Sequence, residues 1–283
     1  MARPVKRSVV APGKVVLVGE YAVVDGGPAI VMAVDRGVRC DVLEGSGIET
    51  PDGDVRFVAP AIGDAATRER FVFSDWNPPD VGGDKPGLGG SAAACVAACI
   101  AVDRPATDAY EIHATVQGGG SGVDVAASVY GGILLFERRK VVALSPLQPV
   151  VVYSGSGAAT GPRIERYRAW SDRPAFVRES RLAVYAFLDD PLAGMERDAA
   201  LLDRMVASAG IDYWTPRLRA IVELARACGG TAKPSGAGGG DCAVALFSSG
   251  ADRAAFRERC GGEGFPVIDV RPAEAARRID DEG

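Results

Sequence analysis

Residues 85–93 read Lys-Pro-Gly-Leu-Gly-Gly-Ser-Ala-Ala, a glycine-rich stretch that leads into an alanine-rich segment. The alanine-rich pattern predicts a helix at residues 92–101. A loop of this kind offers bare backbone N–H groups, and the helix behind it adds partial positive charge, so the stretch is typical of an anion site. The commonest anion at such sites is a nucleotide phosphate, although a flexible loop before a buried helix would look the same in sequence. Ser91 offers a hydroxyl that could cap the helix or bind Mg²⁺.

The composition narrows the class of protein. The chain has 283 residues, enough for one large domain or two ordinary ones, and 47% of them are hydrophobic, which is ample for a packed core. The net charge of −5 argues against a general nucleic-acid surface, so no nucleic-acid partner is expected. No apolar run has the length of a membrane span, and the basic N-terminus leads into a strand-like run rather than the core of a signal peptide. Six cysteines are scattered along the chain, and Cys95 and Cys99 are interpreted as core residues rather than metal ligands. These features predict a cytoplasmic protein without a membrane partner.

Lysine is scarce in this chain, and its placement is informative. Of 32 basic residues only five are lysine, and three of these, Lys14, Lys85 and Lys233, stand beside glycine or proline. Arginine supplies the general surface charge. A lysine in such a context therefore indicates a site that needs a compact point charge.

Apolar periodicity and glycine–proline breaks predict the secondary structure. A change in composition at residues 145–149 predicts a domain boundary, and the charged end at residues 273–283 is expected to fray. The predicted strand-rich stretches are residues 8–21, 29–42, 55–59, 71–74, 133–136, 141–144, 150–153, 243–247 and 266–270, and the predicted helices are 92–101, 107–117, several within 162–228, and 251–260.

Two further glycine-rich stretches lie at residues 118–122 and 229–240. The first of them precedes Asp124, which begins a helix of small residues. An Asp flanked by apolar residues is less solvated than a surface Asp, so it suits proton transfer or contact with a substrate hydroxyl, although it could equally serve the helix dipole. Each of the three stretches carries a Lys, a Ser or an Asp, and we expect them to converge on one cleft.

The three stretches together suit phosphoryl transfer, which needs N–H donors and lysine for phosphate charge and a carboxylate near the acceptor hydroxyl. The P-loop and protein-kinase signatures are absent. His113, the only histidine, has no partners for a Ser-His-Asp triad and is interpreted as structural rather than catalytic.

Three motifs occur in order along the chain, and they carry a resemblance to the GHMP small-molecule kinases. They are Ala-Pro-Gly-Lys at residues 11–14 with Gly-Glu-Tyr at residues 19–21, the stretch at residues 87–93, and Lys-Pro-Ser-Gly-Ala-Gly-Gly-Gly-Asp at residues 233–241. Within that family, Gly-Glu-Tyr and the third motif are most similar to the phosphomevalonate kinase branch.

The resemblance implies an α+β GHMP kinase fold of two domains. Residues 1–147 would form a ribosomal-S5-like ATP-binding domain, and residues 148–283 a ferredoxin-like C-terminal GHMP domain. ATP and the substrate would lie between them.

The resemblance also implies roles for individual residues. Lys14 would stabilise the transferring phosphoryl group and Asp124 would orient or deprotonate the acceptor, so these two are the expected catalytic residues. Ser91 would bind Mg²⁺, and Lys85 is also a candidate for the substrate phosphate. The residues expected to bind ATP are Lys85, Gly87, Leu88, Gly89, Gly90, Ser91 and Ala92, and those expected to bind the substrate are Glu20, Tyr21, Ser121, Ser154, Ser235 and Gly236.

The implied function is ATP- and Mg²⁺-dependent phosphorylation of 5-phosphomevalonate by a monomer or homodimer. Mevalonate kinase, diphosphomevalonate decarboxylase and a catalytically silent binding protein of the same fold are the alternatives. Two positions depart from the family pattern. Gly90 stands where the family usually has Ser, which leaves Ser91 as the loop's only hydroxyl, and His113 stands where mevalonate kinases carry a Mg²⁺-binding Glu.

Overall fold

The computed structural model describes residues 4–81 and 85–279 of the chain. Helices and strands are mixed throughout the described residues, which confirms the predicted α+β class. The strands there are β1 (Val5–Val18), β2 (Ala29–Glu44), β3 (Gly47–Glu49), β4 (Glu69–Trp76), β5 (Ile133–Glu137), β6 (Lys140–Leu144), β7 (Val150–Tyr153), β8 (Thr231–Pro234), β9 (Cys242–Leu246), β10 (Val267–Ile268) and β11 (Arg277–Ile279).

The α-helices of the same residues lie mostly in the second half of the chain. None of them is both long and apolar enough to cross a membrane. They are α1 (Ala59–Ile62), α2 (Gly90–Ala101), α3 (Ala109–Gln117), α4 (Val123–Tyr130), α5 (Thr160–Ala169), α6 (Arg173–Asp189), α7 (Pro191–Ala209), α8 (Pro216–Ala227) and α9 (Gly250–Gly262).

The first sheet is built around the long antiparallel pair of β1 and β2. Its strand order is β11-β1-β2-β4-β3, and β5 and β6 extend it beside the first half of β2. Because β2 is 16 residues long, it pairs with β5 through residues 29–32 and with β4 through residues 37–44. β1, which carries Lys14, is held against β2 along nearly its whole length.

The register of the β1–β2 pair shifts between Pro12 and Gly13, so residues 35 and 36 bulge out of β2. A Cβ at Gly13 would lie 2.3 Å from the carbonyl oxygen of Leu88, closer than van der Waals contact allows. Glycine at this position therefore lets the loop at residues 87–89 lie directly on β1.

The alanine-rich helix α2 packs with α4 against one face of the first sheet. Its small side chains, including the fully buried Ala92, Ala97 and Ala98, let the helix lie close to the strands. A helix that is apolar nearly all round is expected to be buried. It begins at Gly90, two residues before the predicted start, so Gly90 and Ser91 belong to its first turn.

The second sheet has the strand order β10-β7-β9-β8, and its strands are antiparallel. Helices α8 and α9 cover one face. The other face packs against the first sheet and helices α6 and α7 in a shared core that includes Leu17, Met32, Val244 and Phe187. β1 thus contributes to the cores on both sides of the first sheet.

One predicted strand is wrong. Residues 55–58 form a turn, and α1 begins at Ala59. Pro60 lies in the first turn of α1, where its fixed φ suits a helix start and its missing N–H costs nothing, whereas in a strand it would interrupt the ladder. The strand predicted at residues 266–270 is shortened to Val267–Ile268.

The predicted fraying of the charged end is also wrong for the described residues up to 279. β11 pairs with residues 8–10 of β1, and the Ala273 N–H donates to the Ala33 carbonyl at 3.0 Å. These backbone bonds outweigh the charge of the segment; residues 280–283 lie outside the described part. The chain changes sheets between β6 and β7, and β11 then returns to the first sheet, so the division at residue 147 stays a prediction.

Candidate active site

The glycine-rich loop lies on β1 beside Lys14. The Lys14 backbone N–H donates to the Leu88 carbonyl at 2.8 Å. Gly89 adopts a left-handed conformation, φ 80°, and caps α2, and a Cβ there would lie 2.9 Å from Cγ of Lys14. The loop, the helix N-terminus and the lysine stem are thus in direct contact.

The first turn of α2 is open to a ligand. No side chain caps this helix, and Gly90 and Ser91 are exposed. The first N–H groups of a helix have no partner within it and carry partial positive charge. They can therefore bind an anion without displacing a protein group.

Lys14 faces the carboxylate of Asp124 across the cleft. Lys14 is 8% exposed, and its Nζ lies 3.9 Å from Oδ1 of Asp124. Asp124 is in the first turn of α4, and its side chain is 36% exposed. Gly122, with φ 81°, caps α4, and a Cβ there would lie 2.8 Å from the Tyr110 ring, so the close turn before Asp124 requires glycine. The two charges are near enough to attract but too far apart for a hydrogen bond, so a ligand atom beside the pair can be within reach of both.

His113 lies beside Ser91, which the sequence did not indicate. Its Nε2 is 3.2 Å from the Ser91 hydroxyl, and its ring stacks on Phe57 with 4.9 Å between centroids. Burial lowers the pKa of His113, and the charge of Asp124 opposes this only in part. The imidazole is therefore neutral near pH 7, and one of its nitrogens can fix the orientation of the serine hydroxyl. A lone histidine carries no sequence signal for such a contact.

All three glycine-rich stretches line one cleft of about 950 Å³. This is the convergence expected from the sequence. The expected site residues that line it are Lys14, Glu20, Tyr21, Lys85, Gly87, Leu88, Gly89, Gly90, Ser91, Ser121, Asp124, Ser235 and Gly236.

Several of these side chains are already engaged by the protein. The Tyr21 hydroxyl donates to the Ala237 carbonyl at 2.7 Å. The Ser235 hydroxyl accepts from the Val16 N–H at 2.9 Å and donates to the Val16 carbonyl at 3.1 Å. Glu20, only 3% exposed, forms a buried ion pair with Lys233. These contacts hold the third glycine-rich loop against β1.

Other expected residues lie at the edge of the cleft or outside it. Lys85 is at the rim, with 69% of its side chain exposed, and pairs with Asp52 at 2.8 Å. Ser154 is fully buried, its hydroxyl directed to the Ser156 carbonyl at 3.4 Å, and it does not line the cleft. Ala92 is fully buried in α2. A ligand in the cleft therefore meets Lys85 at the entrance and does not meet the Ser154 side chain.

Ser121 lines the cleft and also supports the start of α4. Its hydroxyl accepts a hydrogen bond from the Val123 N–H at 3.2 Å.

Asp241 lines the cleft although no role was expected for it. Its Oδ1 accepts from the Ala158 N–H at 3.0 Å. A Cβ at Gly87 would lie 2.3 Å from its carboxylate, so glycine there lets the first and third loops touch. Burial raises the pKa of Asp241, and the charge of Lys14 opposes the shift. The only sequence signal was its position at the end of the third motif.

The oxygen donors in the cleft fit Mg²⁺ only if substrate phosphates and water supply the remaining ligands. Within residues 4–81 and 85–279, no group of three His, Cys, Asp or Glu side chains is arranged to hold a metal ion. The Ser91 hydroxyl and the partly exposed Asp124 carboxylate are oxygen donors of the kind that Mg²⁺ prefers. Mg²⁺ commonly keeps several waters and takes its other ligands from substrate phosphates, so these two residues are compatible with such a site.

Comparisons with known proteins agree with this architecture. A family profile described as GHMP kinases C terminal matches residues 186–266. The chain is 29% identical to a phosphomevalonate kinase of Streptomyces sp. (strain CL190), over 93% of this chain and 96% of that protein. It is 31% identical to a mevalonate kinase of Methanothermobacter thermautotrophicus, over 85% of this chain and 90% of that protein. The fold is similar to that of Streptococcus pneumoniae phosphomevalonate kinase in complex with phosphomevalonate and AMPPNP, with a TM-score of 0.75, 18% identity and coverage of 94% of this chain and 99% of that one.

The chain belongs to the GHMP kinase family. It is a small-molecule kinase with the fold of that family, as the three ordered motifs predicted.

Proposed function

We propose that the chain transfers the γ-phosphoryl group of ATP to 5-phosphomevalonate and forms 5-diphosphomevalonate. The observation that carries the proposal is the Lys14–Asp124 pair, 3.9 Å apart, beside an uncapped helix N-terminus in one cleft. Phosphoryl transfer to a hydroxyl or phosphate oxygen requires a carboxylate at the acceptor and a cation at the transferred group, and this pair supplies both.

Lys14 and Asp124 have different roles in the proposed reaction. Asp124 orients the attacking oxygen and accepts its proton if it carries one. Lys14, almost buried, keeps a positive charge where the transferred group gains negative charge, and the low local dielectric strengthens that interaction. Because the pair is not hydrogen-bonded, neither group has to break a strong contact before it engages the substrate.

The first turn of α2 would hold the phosphates of ATP through the N–H groups of residues 89–92. Ser91 and Asp124 would hold Mg²⁺, which neutralises phosphate charge and fixes phosphate geometry when bound. The structural neighbour that was solved in complex with AMPPNP supports the use of ATP.

The acceptor half of the cleft contains a cation that suits a phosphorylated substrate. Arg168 of α5 lines the cleft, and its Nη2 lies 3.1 Å from the position that a Cβ of Gly119 would occupy. Gly119 belongs to the loop that precedes Asp124. A positive side chain opposite that loop favours an acceptor that carries a second anionic group.

Mevalonate is the second candidate acceptor, because several curated relatives, including the one at 31% identity, are mevalonate kinases. The identity to that mevalonate kinase, 31%, is similar to the 29% identity to the phosphomevalonate kinase.

The test is an incubation of the purified chain with ATP and Mg²⁺, in parallel with mevalonate and with 5-phosphomevalonate. Diphosphate product from the phosphorylated acceptor alone supports the proposal. Turnover of mevalonate alone contradicts it and assigns a mevalonate kinase. Release of carbon dioxide from diphosphomevalonate would indicate the decarboxylase, and nucleotide binding without turnover of either acceptor would indicate a silent binding protein.

A further inference from the structure

A second cluster of charges lies beneath the cleft, where β1, α7 and β8 meet. Lys233 and Asp198 are 0% exposed and Glu20 is 3% exposed. The Lys233 ammonium pairs with Oε1 of Glu20 and lies 3.8 Å from Oδ2 of Asp198. Oδ1 of Asp198 accepts from the Gly19 N–H at 3.3 Å. One cation is thus buried with two carboxyl groups.

The charges of this cluster do not balance unless it holds a proton. Lys233 supplies one positive charge, whereas two ionised carboxylates would supply two negative charges and leave one uncompensated in a buried site. Burying a net charge is costly, and a buried acid instead takes up a proton.

The oxygen atoms show where that proton belongs. Oε2 of Glu20 and Oδ2 of Asp198 are both buried and accept no hydrogen bond. A proton on Asp198 would remove the excess charge and provide the missing donor. Burial, followed by the charge of Glu20, raises the pKa of Asp198 to about 8, and Lys233 lowers it only in part. Among the described residues, Tyr213 also interacts with this carboxyl, and burial raises the pKa of Tyr213 well above its usual value.

The cluster is linked to the acceptor half of the active site. Oε1 of Glu20 accepts from the Gly236 N–H at 3.3 Å. The neighbouring Ser235 hydroxyl bonds both backbone groups of Val16. A Cβ at Gly236 would lie 4.0 Å from Nζ of Lys14, so the loop that Glu20 holds lies beside the lysine ammonium.

We propose that Glu20 and Asp198 share one proton beside Lys233, and that this neutral cluster positions the loop at residues 235–237 against Lys14. Asp198 is a positioning residue: it touches no substrate and acts through Glu20 and the loop backbone. The cluster accommodates one negative charge, whichever carboxyl carries it.

Infrared difference spectroscopy of the full chain at pH 6 tests the shared proton directly and does not depend on the identity of the acceptor. The wild type minus Asp198→Asn spectrum should contain the C=O stretch of a protonated carboxyl. In Glu20→Gln this band should vanish, because Asp198 then ionises to supply the one negative charge that Lys233 needs. Asp203→Asn, an exposed carboxyl on the same helix, is the matched control and should leave the band in place. Absence of the band from the wild type, or its persistence in Glu20→Gln, overturns the shared proton.

Steady-state kinetics with the acceptor that the chain phosphorylates test the positioning. Asp198→Asn keeps a neutral group of the same size, so kcat should stay within about twofold of wild type. Asp198→Leu removes the hydrogen bonds, and kcat should fall by about 10- to 100-fold with the KM for ATP unchanged, since a small displacement near the reacting group has effects of this size. The wild-type kcat should also decline above about pH 8 in a way that Asp198→Asn does not. A folded Asp198→Leu with wild-type kcat, or identical pH profiles for wild type and Asp198→Asn, overturns the positioning role; if Asp198→Leu does not fold, the pH profiles decide.

Discussion

Two lysine–carboxylate clusters lie along the second half of β1, and they differ in their access to water. Lys14 and Asp124 stand 3.9 Å apart, with 36% of the Asp124 side chain exposed. Lys233, Glu20 and Asp198 are closed off from solvent. Lys14 and Asp124 can each turn from the other to a bound ligand, as catalysis requires. The buried cluster stays neutral at pH 7 because a net charge there is costly, which is what a fixed support requires.

A substitution in the open pair is expected to have the largest effect, and that effect should be on kcat. Asp124→Asn should lower kcat by about 10²- to 10⁴-fold, because the variant keeps the shape of the side chain and loses the base and the charge. ATP affinity and the unfolding midpoint should change little, since the Asp124 side chain is 36% exposed and lies 3.9 Å from Lys14, too far for a hydrogen bond. Kinetics, nucleotide titration and thermal unfolding measure the three quantities. A variant that unfolds early while the folded fraction keeps its kcat would make Asp124 a structural residue.

The next effect should be on stability, in the buried cluster. Lys233→Met removes the cation and leaves two buried carboxyl groups, so the free energy of unfolding should fall by about 3–5 kcal/mol. Urea unfolding measures it. Lys14→Met is the matched control, because Asp124 can be solvated when it loses its partner, and its cost should stay below about 1 kcal/mol. Equal losses for the two variants would contradict the distinction between the clusters.

The sequence predicted the open pair better than the buried cluster, for a physical reason. Lys14 and Asp124 each follow a glycine that a close turn or backbone approach requires, and such glycines are visible in sequence. The sequence also indicated Lys233 through its Pro-Ser-Gly context. Asp198, in contrast, sits in an amphipathic helix among other charged residues, and only the packing of α7 against β1 and β8 distinguishes it from an exposed acid.

The fold shows the same division. Strands and helices with strong local patterns, such as the β5–β6 hairpin, matched the structure. The wrong prediction of a frayed end depended on a partner far away in sequence, because residues 277–279 pair with residues 8–10. The wrong strand at residues 55–59 had a local cause, Pro60 in the first turn of α1. His113 and Asp241 were missed as cleft residues because their neighbours, Ser91 and Gly87, are also distant in sequence.

A smaller effect should appear in the pH dependence of stability. The pKa of Asp198 is about 8 in the folded chain and about 3.9 in an unfolded chain. Below pH 4 the carboxyl is protonated in both states, and from pH 4 to pH 8 only the folded state keeps the proton. The unfolded state is therefore favoured as pH rises, and this contribution to stability is lost by up to about 1.4 kcal/mol per pH unit. Asp198→Asn lacks this loss, so its stability relative to wild type should rise between pH 5 and pH 7. Parallel urea-unfolding curves for both proteins across that interval would contradict the protonated carboxyl.

The smallest effect should come from a third lysine–carboxylate pair, in which more than half of each side chain is exposed. Lys85 and Asp52 are 2.8 Å apart at the cleft rim, with 69% and 52% of their side chains exposed. Since exposed pairs contribute about 0–1 kcal/mol, Lys85→Met should leave the free energy of unfolding nearly unchanged. Its effect should instead be on the KM for ATP, which should rise at low salt and approach the wild-type value at high salt, because screening weakens an exposed charge. Lys140→Met, an exposed lysine on β6 outside the cleft, is the control and should leave the KM for ATP unchanged at both salt concentrations. A salt-independent rise in KM for Lys85→Met would mean that Lys85 leaves the rim and becomes buried against the nucleotide, and the exposed pair would then belong with Lys14 rather than with the surface.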